Sequence, residues 1–453
     1  MDISFLSSTL SVFFLLTISV LIYLFTKKIN FPYTVALLLV GIGLIPLSNT
    51  DFFGFINHFQ LTPEVLFYVF LPILLFESAY NISYRQMMKN YKAIVGMAVF
   101  GLLISTFIIA ILLYFILPFI GFEIPFLVCL LFGGLISSTD PVAVLSIFKS
   151  IGAPRRLTLL FEGESLFNDG TSLAIFLVVL GIILEGGKVT SNSIFGGIGI
   201  FLSMAIGGII FGSILGIIFS KIIGKIKNSE LGEITLTMIL AHLTFISSEV
   251  ITEHLVLFGH QIHISGVIST TIAGLIVGNY GRYKISPKVE LHMNQFWEFF
   301  AFISNSLVFI LMGLILSHID INWLDFTFPI LVTILIVIIS RFISVYIPIG
   351  IINKFKLEEN IPTSWTFLLS WGSLRGALAL MMALMIPEKG TSDYQKVLDF
   401  QNYVGWNFDF DIRDFILVIT ISCIIFTLFI KATTIPYLMN KFGITKLHDL
   451  EEF

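Results

Sequence analysis

The sequence predicts an all-α polytopic membrane protein of about thirteen transmembrane helices, arranged as two inverted repeats. Three observations carry that reading. Apolar runs of about 20 residues, the length that crosses a hydrocarbon core of ~30 Å, recur along the chain. The 453 residues are 57% hydrophobic and 12% charged, with a mean hydropathy of +0.98. The Lys and Arg residues sort by alternate loops, and two of the apolar runs carry helix breakers at mid-depth.

The spans fall at roughly 5–25, 32–49, 62–80, 93–115, 125–148, 158–184, 194–220, 231–256, 262–280, 296–317, 327–352, 363–386 and 413–438. One set of alternate loops, with the tail, holds nineteen of the 25 Lys and Arg residues, among them Lys27, Lys28, Arg155, Arg156, Lys431 and Lys446. The other set holds four: Lys188, Lys389, Lys396 and Arg413. Arg341 and Arg375 lie inside spans. Cytoplasmic loops carry the excess of basic residues, so the N-terminus is expected outside and the C-terminus in the cytoplasm. A missed helix would scramble this alternation.

The first span has no basic stretch before it and meets Lys27-Lys28 at once, which reads as an N-out helix rather than a cleaved signal. Span 3 carries Glu77 near its inner end, in Leu71-Pro72-Ile73-Leu74-Leu75-Phe76-Glu77-Ser78. Span 5 contains Gly133-Gly134 and then Ser137-Ser138-Thr139-Asp140-Pro141. Span 6 contains Glu162 and Glu164-Ser165-Leu166-Phe167-Asn168-Asp169. The glycines between 196 and 216 mark span 7 as a close-packing helix. In span 8, Glu249 and Glu253 sit near the outer end, where a solvated position is expected, and His242 reads as a packed histidine. His254, His260 and His263 straddle an external loop and read as solvated. Span 11 carries Arg341, and span 12 breaks at Trp371-Gly372-Ser373-Leu374-Arg375-Gly376. The connection 387–412 is external and acidic, and the tail after span 13 is short. Cys129 and Cys423 sit in spans as small apolar residues; neither a disulfide framework nor a zinc-type spacing is present. No soluble domain and no nucleic-acid partner are expected.

Broken backbone at membrane depth survives only where protein or a wet cavity satisfies it. The two breaks are seven spans apart, so the helices that carry them run in opposite directions. With spans 1–6 and 8–13 as repeats, each broken helix is fifth in its repeat. That is the pattern of an inverted-repeat secondary transporter with its site at the crossing.

An ionised carboxylate at the bilayer centre costs roughly 2.5–3.5 kcal/mol on insertion scales, so intramembrane acids have a partner or a task. At a rise of ~1.5 Å per residue, Asp169 lies ~16 Å, Asp140 ~12 Å and Arg375 ~18 Å from the cytoplasmic helix ends. These groups fall in one layer with Glu77. At ~100° per residue, Glu162, Ser165 and Asp169 share one face of span 6, and Glu164 lies ~140° from Asp169. The Asp169 face offers hard oxygen ligands of the kind alkali and alkaline-earth cations prefer. Glu162 sits lower on that face and reads as part of an entrance. Glu164 points into protein and needs a buried cation partner, for which Arg375 is the first candidate and Arg341 the second. A carboxylate out of water holds either a proton or a metal ion. That exclusion is enough for antiport.

These motifs resemble cation:proton antiporter family 1, the NhaP and NHE type of sodium/proton exchangers. The resemblance rests on Leu71–Tyr80 (LPILLFESAY), Ser138–Val144 (STDPVAV), Phe161–Gly170 (FEGESLFNDG), Ile264–Gly278 (ISGVISTTIAGLIVG), Phe296–Gly313 (FWEFFAFISNSLVFILMG) and Trp371–Ala377 (WGSLRGA). It implies one exchanger domain over 1–453 with the NhaA-like transporter fold. A homodimer is implied, with a dimerisation part at about 1–90 and 231–320 and an ion-transport core at about 91–185 and 325–440. A linker helix at about 194–220 would join them, and the core would move as an elevator. Carried over to matching positions, the cation and proton ligands would be Thr139 (main chain), Asp140, Ser165, Asp169 and Glu77. Asn168 would be the neutral neighbour that makes exchange electroneutral, and Glu164 with Arg375 would be structural.

The expected activity is therefore exchange of Na⁺ or Li⁺ for H⁺ across the cell membrane, without a cofactor and without enzymatic chemistry. K⁺/H⁺ exchange on the same fold is the nearest alternative. A cation channel is a different class, but a channel needs a filter or a ring of like charges, and the sequence offers neither. An intramembrane enzyme fits worse still, because Asn168 and Arg375 do not suit an aspartyl pair.

Overall fold

A computed structural model of the chain describes residues 3–29, 31–50, 52–58, 62–226, 229–257, 260–315 and 325–444. Lys227 and Lys446, counted above among the cytoplasmic charges, lie outside the described residues.

Among the described residues, nine helices are long and apolar enough to cross a membrane. They correspond to spans 1, 3, 4, 6, 7, 8, 10, 11 and 13 of the sequence reading. The other four spans are also helical, but shorter or interrupted. Span 2 is Tyr33–Gly43 with Ile45–Ser48, and span 9 is Gly266–Ile276 continued by a π-turn at Val277–Gly281. Span 5 is two half-helices, Phe126–Ile136 and Val142–Ile151, and span 12 is Thr363–Trp371 and Ala377–Leu384. Both breaks thus occur where Gly, Ser and Pro interrupt the apolar runs.

Local chemistry starts and stops these helices. Thr190 and Ser193 exchange side-chain and backbone hydrogen bonds in a capping box that opens the helix Ser191–Ile223. Gly152, at φ +81°, ends the half-helix Val142–Ile151 in the left-handed conformation that glycine adopts without strain. The connection 387–412 folds a helix of its own, Tyr394–Val404, which buries Val397 and Phe400. The only strands among the described residues are a two-residue hairpin, Val256–Leu257 with His260–Gln261.

The helices pack in two sets. In one, Ser191–Ile223 and Glu230–His254 lie on Gly266–Ile276, which in turn packs on Leu71–Asn81. The glycine-rich span 7 makes the first contact: a Cβ on Gly212 would sit 2.9 Å from the Cα of Ser269, so only glycine lets the two backbones approach. In the other set, Leu102–Ile116 packs on Phe126–Ile136 and on Thr327–Lys354, and Ala377–Leu384 packs on Ile412–Phe426. The outer faces are apolar, with Phe195, Ile206, Ile210 and Ile214 of span 7 exposed, as a helix against lipid requires. Cys129 and Cys423 are buried free thiols.

At the end of the bundle where the helix Arg155–Leu184 starts, one arginine ties several elements of the second set. Arg156 donates to the Asn90 side chain at 2.8 Å and to the carbonyls of Glu359 and Asn360 at 2.7 and 3.1 Å. Glu358 accepts the N–H groups of Lys92 and Ala93 at 2.6 and 3.2 Å, satisfying donors that a helix start leaves free.

The structure corrects one assignment of charge. Lys431 does not belong to the cytoplasmic tail. It is fully buried in the last helix, at the end of a π-turn spanning Thr427–Lys431. A Lys one or two turns from a helix end looks interfacial in a hydropathy profile; here the helix continues to Lys441 and the side chain turns inward. Without Lys431 the sequence count stands at eighteen basic residues against four, so the expected charge bias keeps its sign.

Candidate functional site

The two breaks meet. The N–H of Asp140 donates to the carbonyl of Leu374 at 2.9 Å, an isolated antiparallel bridge between the two extended segments. Each half-helix start faces this crossing. Val142 N–H donates to Asp140 Oδ1 at 2.9 Å, and Gly376, just before Ala377–Leu384, lies against the same carboxylate. Asp140 therefore sits between the positive ends of two half-helices, which favours negative charge there.

Span 6 supplies the second carboxylate. Ser138 Oγ donates to Asp169 Oδ1 at 2.7 Å. Asn168 Nδ2 donates to Thr139 Oγ1 at 2.6 Å, and Ser165 Oγ donates to the Thr139 carbonyl. Each polar residue on this stretch of span 6 thus holds one part of the broken segment 138–140. Asp140, Asp169, Ser165, Thr139 and Glu77 line one cavity of about 120 Å³. Asn168 stands behind it, on Thr139. Ser78, Ser138, Asn305 and Gly376 also line the cavity. A water needs only about 10–15 Å³ of such space, so there is room for a partly hydrated cation. Glu77 Oε1 accepts from Asn81 Nδ2 at 2.9 Å, one helical turn on.

Ion pairing behind the site differs from the first expectation. Arg341, not Arg375, faces Glu164. Its Nη1 lies 2.6 Å from Oε1 and its Nη2 donates to Oε2 at 2.7 Å and to the Leu369 carbonyl at 3.2 Å. Both residues are buried. Arg375 reaches the first break instead, where Nη1 donates to the Ser137 and Ser138 carbonyls at 3.0 and 2.9 Å. These are carbonyls that the end of Phe126–Ile136 leaves without helical partners. Depth alone could not separate the two arginines, since at ~1.5 Å per residue they lie at nearly the same distance from the ends of their spans on one side. The decision lies in how spans 6, 11 and 12 rotate against one another.

Sequence reasoning did not single out Ser138 as a partner of Asp169, though its place in the break at the same depth is a usable signal. It also missed Glu233, a buried carboxylate of span 8 that accepts from Ser286 N–H at 2.9 Å and Ser286 Oγ at 2.7 Å. Of the residues read as bland, His242 contacts its own helix at the Met238 carbonyl, 3.1 Å away. Glu253 is exposed, while Glu249 lines a separate cavity with Glu64 and Glu388. His263 lies in the connection between Glu230–His254 and Gly266–Ile276, where partial burial holds its imidazole pKa below the usual range.

This arrangement can bind a small cation with oxygen ligands, or protons in its place, at a crossing of two broken helices. The profile of the family described as "Sodium/hydrogen exchanger, transmembrane" matches residues 14–441. The chain is 31% identical over 441 residues to the Na⁺/H⁺ antiporter NhaH of Halobacillus dabanensis, covering 96% of this chain and 98% of that one. It is 36% identical over 329 residues to the Na⁺/H⁺ antiporter NhaP of Pseudomonas aeruginosa, covering 72% and 73%. Among solved structures, the sodium proton antiporter MjNhaP1 from Methanocaldococcus jannaschii has the same fold, with a TM-score of 0.77 at 19% identity over 97% of this chain and 99% of that one.

Proposed function

The chain belongs to the transmembrane sodium/hydrogen exchanger family, multi-pass transporters rather than enzymes, and we propose that within it this protein exchanges Na⁺ or Li⁺ for H⁺, one for one, at Asp169 and Asp140. The relatives' names supply the ion. The observation that carries the site is the meeting of the breaks, which brings both carboxylates, the Ser165 hydroxyl and the Thr139 carbonyl to one cavity with Glu77.

In the proposed cycle, the Asp169 carboxylate takes a cation or a proton, never both. Asp140, held by Val142 N–H and the two half-helix starts, keeps its second oxygen for the cation. Ser165 and Asn168 orient Thr139 so that the segment 138–140 keeps its shape when the occupant changes. Asn168 brings no titratable proton, which favours electroneutral exchange. Glu164 and Arg341 neutralise each other and anchor span 6 to span 11.

The core, about 91–185 and 325–440, would move as one body against a dimerisation part at about 1–90 and 231–320. Support comes from the ties that Arg156 and Glu358 make between the cytoplasmic ends of core helices. A homodimer in the plasma membrane, N-terminus outside and C-terminus in the cytoplasm, completes the proposal; the loop charges support that orientation.

The test is dequenching of a pH-sensitive dye in proteoliposomes under an imposed pH gradient, adding Na⁺, Li⁺ or K⁺ with and without a clamped membrane potential. Potential-independent proton movement with Na⁺ or Li⁺ is expected. A response to K⁺ alone would make this a K⁺/H⁺ exchanger, and a strong dependence on potential would overturn the one-for-one stoichiometry.

A further inference from the structure

The break of span 12 is held from two sides, and only one of them contains ion ligands. On the far side the last helix presents two side chains one turn apart, Thr427 and Lys431, from its π-turn. Thr427 Oγ1 accepts the backbone N–H of Arg375 at 3.2 Å. The Lys431 amine donates to the carbonyl of Ser373 at 3.5 Å and lies 5.5 Å from the centre of the Trp371 ring. The Trp371 ring is fixed in turn, since its Nε1 donates to Thr434 Oγ1 at 2.8 Å. Among the described residues Lys431 has no carboxylate within ion-pair distance, and it is fully buried. A buried amine without an acid is costly in a membrane interior, so it is retained for what it holds.

What it holds leads straight to the cation site. Between Ser373 and Arg375, Leu374 accepts the N–H of Asp140, and Arg375 donates to the carbonyls of Ser137 and Ser138. Ser138 donates to Asp169. We propose that Lys431 and Thr427 are positioning residues of the exchange site: they fix the Ser373–Arg375 segment, and through it the placement of Asp140 and Ser138, and so set the affinity for the transported cation. Neither touches the ion. An amine donates to the Ser373 carbonyl whether or not it is charged, so the role does not require a particular protonation state.

This inference rests on the reading that Asp169 and Asp140 form the transport site. The experiment therefore compares Lys431→Met, Thr427→Val and Asp169→Asn in proteoliposomes, reading KM for Na⁺ and kcat separately. Losing one buried hydrogen bond that orders a ligand is expected to raise the Na⁺ KM about fivefold in each of the first two variants, with kcat within about twofold of wild type. Thr427→Val is nearly isosteric and carries the test should Lys431→Met fail to fold. A wild-type KM in Thr427→Val or in folded Lys431→Met overturns the proposal, as does a fall in kcat at unchanged KM, the mark of a merely structural role. Sodium-coupled proton flux in Asp169→Asn sinks the site reading itself and this inference with it, whereas a dead Asp169→Asn beside unshifted variants rejects only the positioning role.

Discussion

Asp140 and Leu374 are joined by one backbone hydrogen bond of 2.9 Å, from the N–H of the acid to the carbonyl of a residue 234 positions later. It is a single rung of sheet in the middle of a helical bundle. The rung forms because each segment has left its helix and has a free backbone group at the same depth. It also leaves no room on the other side of the crossing. A Cβ on Gly376 would sit 2.6 Å from Cγ of Asp140 and closer still to its Oδ2.

Gly376→Ala is therefore expected to displace the Asp140 carboxylate rather than unfold the protein. Overpacking of this kind costs about 1–3 kcal/mol. The Na⁺ KM should rise about fivefold or more, since 1.4 kcal/mol of lost binding is a factor of ten. A sodium dose–response in proteoliposomes checks this; a wild-type KM would mean that Asp140 does not ligate the cation.

Glu164 and Arg341 form the one buried two-pronged ion pair among the described residues. Removing one partner leaves a charge in the bundle interior, which typically costs about 3–5 kcal/mol. Arg341→Met should lower the thermal midpoint in detergent sharply, and Glu164→Leu in the same protein should recover much of the loss. Arg375→Ala combined with Glu164→Leu should instead be close to additive, because Arg375 bonds the Ser137 and Ser138 carbonyls. A strong non-additive term there would return Glu164 to Arg375.

Much of this was legible in the chain because lipid imposes a simple code. Helix length, loop charge and the cost of polar groups at depth sufficed to place the spans, both breaks and the two carboxylates in one layer. What depth cannot supply is rotation about each helix axis, a property of packing between distant segments. That is why the sequence leaves Glu164 two candidate partners and ranks Arg375 ahead of Arg341, the residue that pairs with it. Lys431 escaped for a related reason: near a helix end a lysine reads as interfacial, and only the packing of the last helix on the span 12 break turns it inward. Glu233 escaped because a carboxylate in the first turn of a helix already has an adequate explanation in the helix dipole.

Glu233 also gives a test of stability apart from transport. Its carboxylate accepts from the backbone and side chain of Ser286, immediately before the helix Pro287–Ile315. Glu233→Ala leaves a buried N–H and a hydroxyl without that acceptor, at about 1–3 kcal/mol. The thermal midpoint in detergent should fall, while Na⁺ KM in the folded fraction stays at the wild-type value. A shifted KM would connect this corner of the bundle to the ion site, which no contact described above does.

Competition between cation and proton is the last expectation, and it separates a shared site from two independent ones. If the occupant of Asp169 is a proton or Na⁺ but not both, protons act as competitive inhibitors of sodium binding. On the acid side the apparent KM for Na⁺ should then rise with proton concentration, approaching about tenfold per pH unit, while the maximal rate at saturating sodium stays constant. On the alkaline side the KM should level off, because no bound proton remains to be displaced, and exchange should slow for want of a proton to carry back. The measurement is a set of sodium titrations across pH in proteoliposomes at fixed pH difference. A falling maximal rate at constant KM on the acid side would place the proton elsewhere, and Glu77, which lines the same cavity, would be the next carboxylate to replace.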